Sequence, residues 1–170
     1  MEIRRLVANR RNRRVIDIAI PGKGSYAIEH LILDLNGTIA FDGRIIKGVR
    51  EKLVELSREL EVMVVTADTN RNAEALLADL GISVHKVREG HEDSQKLEAV
   101  LQKGSNSTIS IGNGSNDVSM LKESAIGICV VGSEGASAEA MVASDLVVPA
   151  INDALDLLLK PHRLRATLRR

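Results

Sequence analysis

The chain has 170 residues, the size of one ordinary domain, and 44% of them are hydrophobic. One Phe, one Tyr and no Trp leave the core to Leu, Val, Ile and Ala, and they deny the chain the stacking platforms of a single-strand nucleic-acid binder. A single cysteine, Cys129, rules out an internal disulfide, and no apolar run is long enough for a membrane helix.

Net charge is zero but unevenly placed. Residues 1–14 carry six Arg and one Glu, and residues 160–170 carry five basic side chains and no acid. The segment between them is therefore acidic. The expected organisation is a basic N-terminal arm over 1–14, one core domain over 15–160 and a basic C-terminal tail over 161–170. The Arg-rich start has no hydrophobic segment behind it, so it does not read as a secretory signal. The expected location is cytoplasmic. The basic ends read as solvated or folded back on the acidic body, which argues against a nucleic-acid partner.

In chain order, Val15 to Ile20 alternates like a strand, and Pro21-Gly-Lys-Gly-Ser25 is a turn cluster. Tyr26 to Leu33 is a second extended run that ends in the apolar stretch His30-Leu-Ile-Leu33. Phe41-Asp-Gly-Arg44 has the composition of a hairpin turn. Val49 to Leu60 has helical spacing, with Val49, Leu53, Leu56 and Leu60 on one face. Val62 to Val65 is a buried strand. Asn70 to Leu80 is a helix stopped by Gly81. Short strands follow at Ile82–His85, Thr108–Ile111, Ile126–Val131 and Leu146–Val148. Helices intervene at Ser94–Gln102, Asn116–Lys122 and Ala136–Ala143, and a last one covers Asp153–Leu159 before Pro161. Strands that alternate with helices predict an α/β fold: a doubly wound, mostly parallel Rossmann-like sheet with an N-terminal β-hairpin extension.

In such sheets the site lies at the carboxyl ends of the strands. Three ends stand out. Asp34-Leu-Asn-Gly-Thr38 puts a carboxylate before a Gly turn and a hydroxyl, and alone reads equally well as an Asx turn. Thr66 ends the next strand and alone reads as an ST turn. Gly112-Asn-Gly-Ser-Asn-Asp117 combines close-approach glycines with oxygen donors, and alone reads as a capped turn. Lys96, sixteen residues before Gly112, would supply a cation among these anions.

Together, in this order, the four elements resemble the haloacid dehalogenase (HAD) superfamily of phosphatases and phosphotransferases, over roughly residues 28–150. The family's first motif, Asp-x-Asp-Gly-Thr, matches 34–38 except that Asn36 stands at its third position. Thr66 matches the second motif and Lys96 the lysine. The acidic motif, Gly-Asp-Gly-x-Asn-Asp, matches 112–117 except for Asn113. The chain looks most like the soluble proteins related to the phosphorylation domain of P-type ATPases.

The resemblance implies that Asp34 is a nucleophile that becomes an aspartyl-phosphate, with Asn36, Thr66 and Lys96 in the catalytic set. It implies phosphate binding by Gly37, Thr38, Thr66, Ala67 and Lys96. It also implies a Mg²⁺ held by Asp34, the Asn36 carbonyl, Asn113 and Asp117. Asn36 cannot protonate a leaving group or activate water, so the expected enzyme is a phosphohydrolase that turns over slowly. The alternative is a pseudo-phosphatase that binds phosphate or a protein. Only Ile39 to Val49 follows the first motif, so a capless core is expected. Its substrate would be a phosphorylated small molecule or macromolecule, and a homo-oligomer, dimer or tetramer, would complete its site.

Overall fold

The computed structural model describes residues 14–67 and 72–170. The predicted basic arm, save Arg14, and the start of the helix predicted at Asn70 lie outside the described residues.

Six strands form one parallel sheet in the order β10-β9-β8-β3-β6-β7. The central strand is β3 (His30–Asp34), paired with β6 (Glu61–Thr66) on one side and β8 (Thr108–Gly112) on the other. Beyond them lie β7 (Ser83–Lys86), and then β9 (Ile126–Val130) and β10 (Leu146–Val148). Strands buried on both faces need continuous apolar runs rather than alternation. The sequence supplies them: every residue of β8 and β9 is buried, and so is all of β3 after His30. The chain runs outward from β3 to β6 and β7, then returns to β8 on the opposite flank. The switch point of the topology is therefore at the carboxyl ends of β3 and β8, where a crevice opens.

Helices cover both faces. Helix α1 (Val49–Leu56) buries Val49, Leu53 and Leu56, and the chain behind it buries Leu60, so the predicted apolar face is met although the helix stops four residues early. Helix α2 is Asn72–Leu77, and α3 is Glu92–Lys103. Then come α4 (Val118–Glu123), preceded by a 3₁₀ turn at Ser115–Asp117, and α5 (Ala138–Ala143). Helix α6 (Ile151–Leu159) buries Ile151, Ala154, Leu155 and Leu158.

The predicted N-terminal hairpin is present: β1 (Ile16–Ile20) pairs antiparallel with β2 (Gly24–Ile28), and Ile18, Ile20 and Ile28 enter the core. The single extended run expected from Tyr26 to Leu33 divides at Glu29, which separates the hairpin from the central sheet. Residues 161–168, read from the sequence as part of a basic tail, form a helix, α7 (Pro161–Leu168). Proline is at home in a first helical turn, where its missing N–H costs nothing. The four-residue spacing of Leu164 and Leu168 puts both on one buried face. The amide of Arg170 then donates to the carbonyl of Pro21 at 3.0 Å, which ties this end to the hairpin.

After β3 the only insertion is a miniature hairpin, β4 (Ala40–Phe41) with β5 (Arg44–Ile45). Its turn residues, Asp42 and Gly43, both have positive φ, as a two-residue hairpin turn requires. No cap domain stands over the sheet among the described residues.

Candidate active site

A cleft of about 360 Å³ sits at the switch point, lined by Asp34, Asn36, Thr66, Ala67, Asn113, Gly114, Asn116 and Glu134. Two roomier hollows elsewhere, about 460 and 610 Å³, contain none of the strand-end residues. Volume does not locate the chemistry here; the converging polar groups do.

Beneath the cleft lies a buried ion cluster. Lys96, 1% exposed, donates from Nζ to Asp34 Oδ1 at 2.7 Å and to Asp117 Oδ1 at 2.6 Å. The lysine gets there because α3 follows a parallel strand and runs back antiparallel to the sheet. Its first turns therefore lie at the carboxyl ends of the strands. Burial works against the charge of Lys96, but the two carboxylates outweigh it and hold its pKa above the ordinary lysine range. Asp34 responds in the opposite sense. Burial, then repulsion from Asp117, pushes its pKa up to about 7, against the pull of Lys96 and of the Leu35 amide.

Asp117 is fully buried and does not line the cleft. Its Oδ2 accepts from the amides of Asn113 and Gly114, both at 2.9 Å, while Oδ1 faces Lys96. Gly112 makes this possible: a side-chain carbon there would lie 2.5 Å from Asp117 Cγ. The structure thus brings Asp117 to the lysine and to its own loop, and it leaves Asn113 at the cleft surface.

The hydroxyl of Thr38, fully buried, lies 3.3 Å from Asp34 Oδ2 and 3.2 Å from Asn113 Oδ1. Its single proton can serve one at a time. Asn113 is fixed from its other end by donating from Nδ2 to the carbonyl of Gly135 at 3.1 Å. The amides of Gly37 and Thr38, expected from the family resemblance to hold phosphoryl oxygens, are engaged otherwise. Gly37 donates to the Ala40 carbonyl at 2.9 Å and Thr38 to the Leu35 carbonyl at 3.3 Å. The loop closes on itself, and this uses those donors. Thr66 and Ala67 do line the cleft, as expected, and Asn36 is exposed at its mouth.

One lining residue was absent from the sequence reading. Glu134 lies in the loop after β9, and its Oε2 would be 2.6 Å from a side-chain carbon built on Gly37. The sheet order reveals it: β9 neighbours β8, so its carboxyl end opens on the same crevice. Arg44, in the β4–β5 hairpin, and His91, just before α3, do not line the cleft.

An oxygen-only donor set with few carboxylates and an open side suits Mg²⁺, which keeps several waters. Asp34, the Asn36 carbonyl and Asn113 Oδ1 fit that description; Asp117, also expected among the ligands, has its oxygens engaged by Lys96 and by the amides of Asn113 and Gly114. No cluster of three or more His, Cys, Asp or Glu side chains suited to a metal occurs among the described residues.

Comparison with known proteins agrees with this geometry. Residues 92–154, which hold Lys96, Asn113, Asp117 and Glu134, match the family model of the haloacid dehalogenase-like hydrolases. An uncharacterized protein of Methanocaldococcus jannaschii is 45% identical over 92 residues, 52% of this chain and 99% of that protein. Among solved structures, the 3-deoxy-D-manno-octulosonate 8-phosphate phosphatase of Moraxella catarrhalis, in complex with magnesium, phosphate and KDO, superposes with a TM-score of 0.63 at 18% identity, over 84% of this chain and 94% of that one. The cobalt-bound form of the corresponding Haemophilus influenzae phosphatase gives a TM-score of 0.64 at 18% identity, over 84% and 94% of the two chains. At that identity the likeness is one of fold.

Proposed function

The chain belongs to the haloacid dehalogenase-like hydrolases, and from that premise we propose that it is a Mg²⁺-dependent phosphohydrolase working through an aspartyl-phosphate on Asp34. The observation that carries this reading is the lysine bridge. A carboxylate at the switch point is kept in an open cleft by a cation that is itself 1% exposed.

In this mechanism Asp34 attacks phosphorus in line, and the bond to the leaving oxygen breaks with its electron pair. Lys96 stays protonated and balances charge on Asp34 and the incoming phosphoryl group. Thr66 and Ala67 face the transferred oxygens. Thr38 aligns the Asp34 carboxylate. Asp117 orients Lys96 from below. Asp34, the Asn36 carbonyl and Asn113 would hold Mg²⁺, which supplies further charge neutralisation for the phosphoryl oxygens. Asn36 offers no proton, which favours substrates with good leaving groups and a phosphoenzyme that persists. Such persistence would fit the resemblance to the phosphorylation domain of P-type ATPases. A cytoplasmic location, a phosphorylated small molecule or macromolecule as substrate, and a site completed by oligomerisation belong to the same reading.

The test is covalent labelling. With Mg²⁺ and acetyl phosphate the protein should acquire an acid-stable, alkali-labile phosphate that Asp34→Asn does not acquire. Absence of label, or labelling that survives the substitution, would sink the proposal. A second reading, a phosphate-binding pseudo-phosphatase, draws on Asn113, whose amide is tied to both Thr38 and Gly135. It predicts phosphate binding without label.

A further inference from the structure

We propose that Glu134 is the general base that hydrolyses the Asp34 phosphoenzyme, taking the role that Asn36 cannot perform. The inference rests on the Asp34 reading above and extends it to the second half of the reaction. Among the described residues that line the cleft, only Asp34 and Glu134 carry titratable side chains; the polar remainder are Asn36, Thr66, Asn113 and Asn116. Neutral carboxamides have no proton-accepting site of useful basicity at neutral pH. If Asp34 is the nucleophile, Glu134 is the acceptor that remains among the described lining residues.

Its placement fits. Oε2 of Glu134 stands over Gly37, one residue from Asn36 and three from Asp34, where any side-chain carbon would collide with it. Gly37 has a φ of 76°, a backbone conformation that favours glycine. The loop bearing Glu134 is pinned on both sides. The amides of Val131 and Gly132 donate to the carbonyls of Val148 and Pro149, each at 3.0 Å. Beyond Glu134, the Gly135 carbonyl accepts from Asn113 Nδ2 at 3.1 Å, and the Ser137 amide donates to the Asn113 carbonyl at 2.8 Å. Asp34 is at the buried floor and Glu134 at the exposed rim. A phosphoryl group on Asp34 would enter the cleft that Glu134 also lines.

The step balances without a further reactant. A water oxygen bonds to phosphorus while the bond to the Asp34 oxygen breaks, and that electron pair restores the Asp34 carboxylate. The water proton passes to Glu134 and from there to solvent. Inorganic phosphate departs.

Labelling followed by a chase tests the assignment. The protein is phosphorylated with acetyl phosphate and Mg²⁺, the donor is removed, and loss of label is timed. Glu134→Gln should still label, and its label should decay on the order of 10²-fold more slowly, the lower range for losing general base assistance. Glu134→Asp, with a carboxylate on a shorter arm, should recover part of the rate. Mg²⁺ affinity, measured by calorimetry, should be the same in parent and Glu134→Gln. Label that decays alike in parent and Glu134→Gln overturns the role of Glu134 and leaves the Asp34 reading intact. Slow decay that excess Mg²⁺ restores, together with weakened Mg²⁺ binding, also overturns it and makes Glu134 a cation ligand. A parent protein that never labels removes the Asp34 reading, and this inference with it.

Discussion

Strand β3 carries an ion cluster at each end, and the two are built from like parts. At its carboxyl end, Lys96 bridges Asp34 and Asp117. At its amino end, Lys103 and His30 flank Glu61, at 2.6 and 3.1 Å. The two lysines sit seven residues apart on α3, about 10 Å along its axis. The distances are alike; the surroundings are not. The side chains of Lys96 and Asp117 are 1% and 0% exposed, whereas those of Lys103 and Glu61 are 26% and 48% exposed. Water screens the outer cluster and is excluded from the inner one. The consequence shows in the acids. Glu61 is held below its ordinary range by Lys103, while Asp34 is driven up to about 7 by burial and a second carboxylate. A bond length therefore says little about what an ion pair does. The lysine that serves one exposed acid only adds to the surface, and the lysine that serves two buried ones defines a site.

The sharpest way to break this comparison is to remove the inner lysine. Lys96→Met leaves two carboxylates facing each other without a cation, a loss of roughly 3–5 kcal/mol for a broken buried pair. Labelling of Asp34 should vanish. The loss of stability should be smaller at acid pH, where Asp34 takes up a proton. Denaturant melts at two pH values decide this, and equal destabilisation at both would contradict the picture.

Next is the acid itself. Because its folded pKa is about 7 and its ordinary value 3.8, the native state holds a proton on Asp34 that the unfolded chain has already lost in that interval. Stability should then fall as pH rises from about 4 to about 7. Asp34→Asn abolishes that slope. It should raise the melting temperature at pH 8, by about 3 °C for each kcal/mol recovered in a chain of this size, and change little at pH 4. A variant that melts lower at pH 8 would show that the Asp34 carboxylate supports the fold rather than straining it. Stability gained with activity lost is the expected mark of a functional site.

A gentler change tests the altered motif. Asn36→Asp supplies an acid for the leaving group at the cleft mouth and should speed turnover of a phosphate ester with a poor leaving group on the order of 10²-fold, with p-nitrophenyl phosphate changed less. No change would place the limit elsewhere in the site.

Most of this site was legible because the sheet dictates it. Apolar runs that end at Asp34, Thr66 and Gly112 mark parallel strands, and parallel strands send their carboxyl ends to one edge. Lys96 was legible through its spacing from Gly112, which a helix antiparallel to the strands turns into proximity. Glu134 was missed because its strand end carries no motif: the segment Gly132-Ser-Glu-Gly135 reads as a turn, and only the sheet order brings β9 beside β8. The orientation of Asp117 was equally hidden. A carboxylate five residues after a strand can face a cleft or its own loop, and Gly112 decides in favour of the loop by leaving room for it. The terminal helix was masked by its charges. Five basic residues obscured Leu164 and Leu168, whose spacing is that of one buried helical face.

The smallest expected effect lies at the far end of β3. Lys103→Ala removes the strongest pull on Glu61, so the Glu61 carboxyl should return toward its ordinary range, as a titration followed by NMR would show. Exposed pairs are worth about 0.2–1 kcal/mol, and salt screens them. The variant should therefore lose less than about 1 kcal/mol at low ionic strength and nearly nothing at high salt. Asp34 labelling should not change, because nothing in the outer cluster reaches the cleft. A Lys103→Ala variant as damaged as Lys96→Met would mean that α3 is held against the sheet mainly by its terminal charge. Burial of Ala99 and Val100, between the two lysines, argues the opposite: apolar packing positions the helix, and the helix in turn positions Lys96.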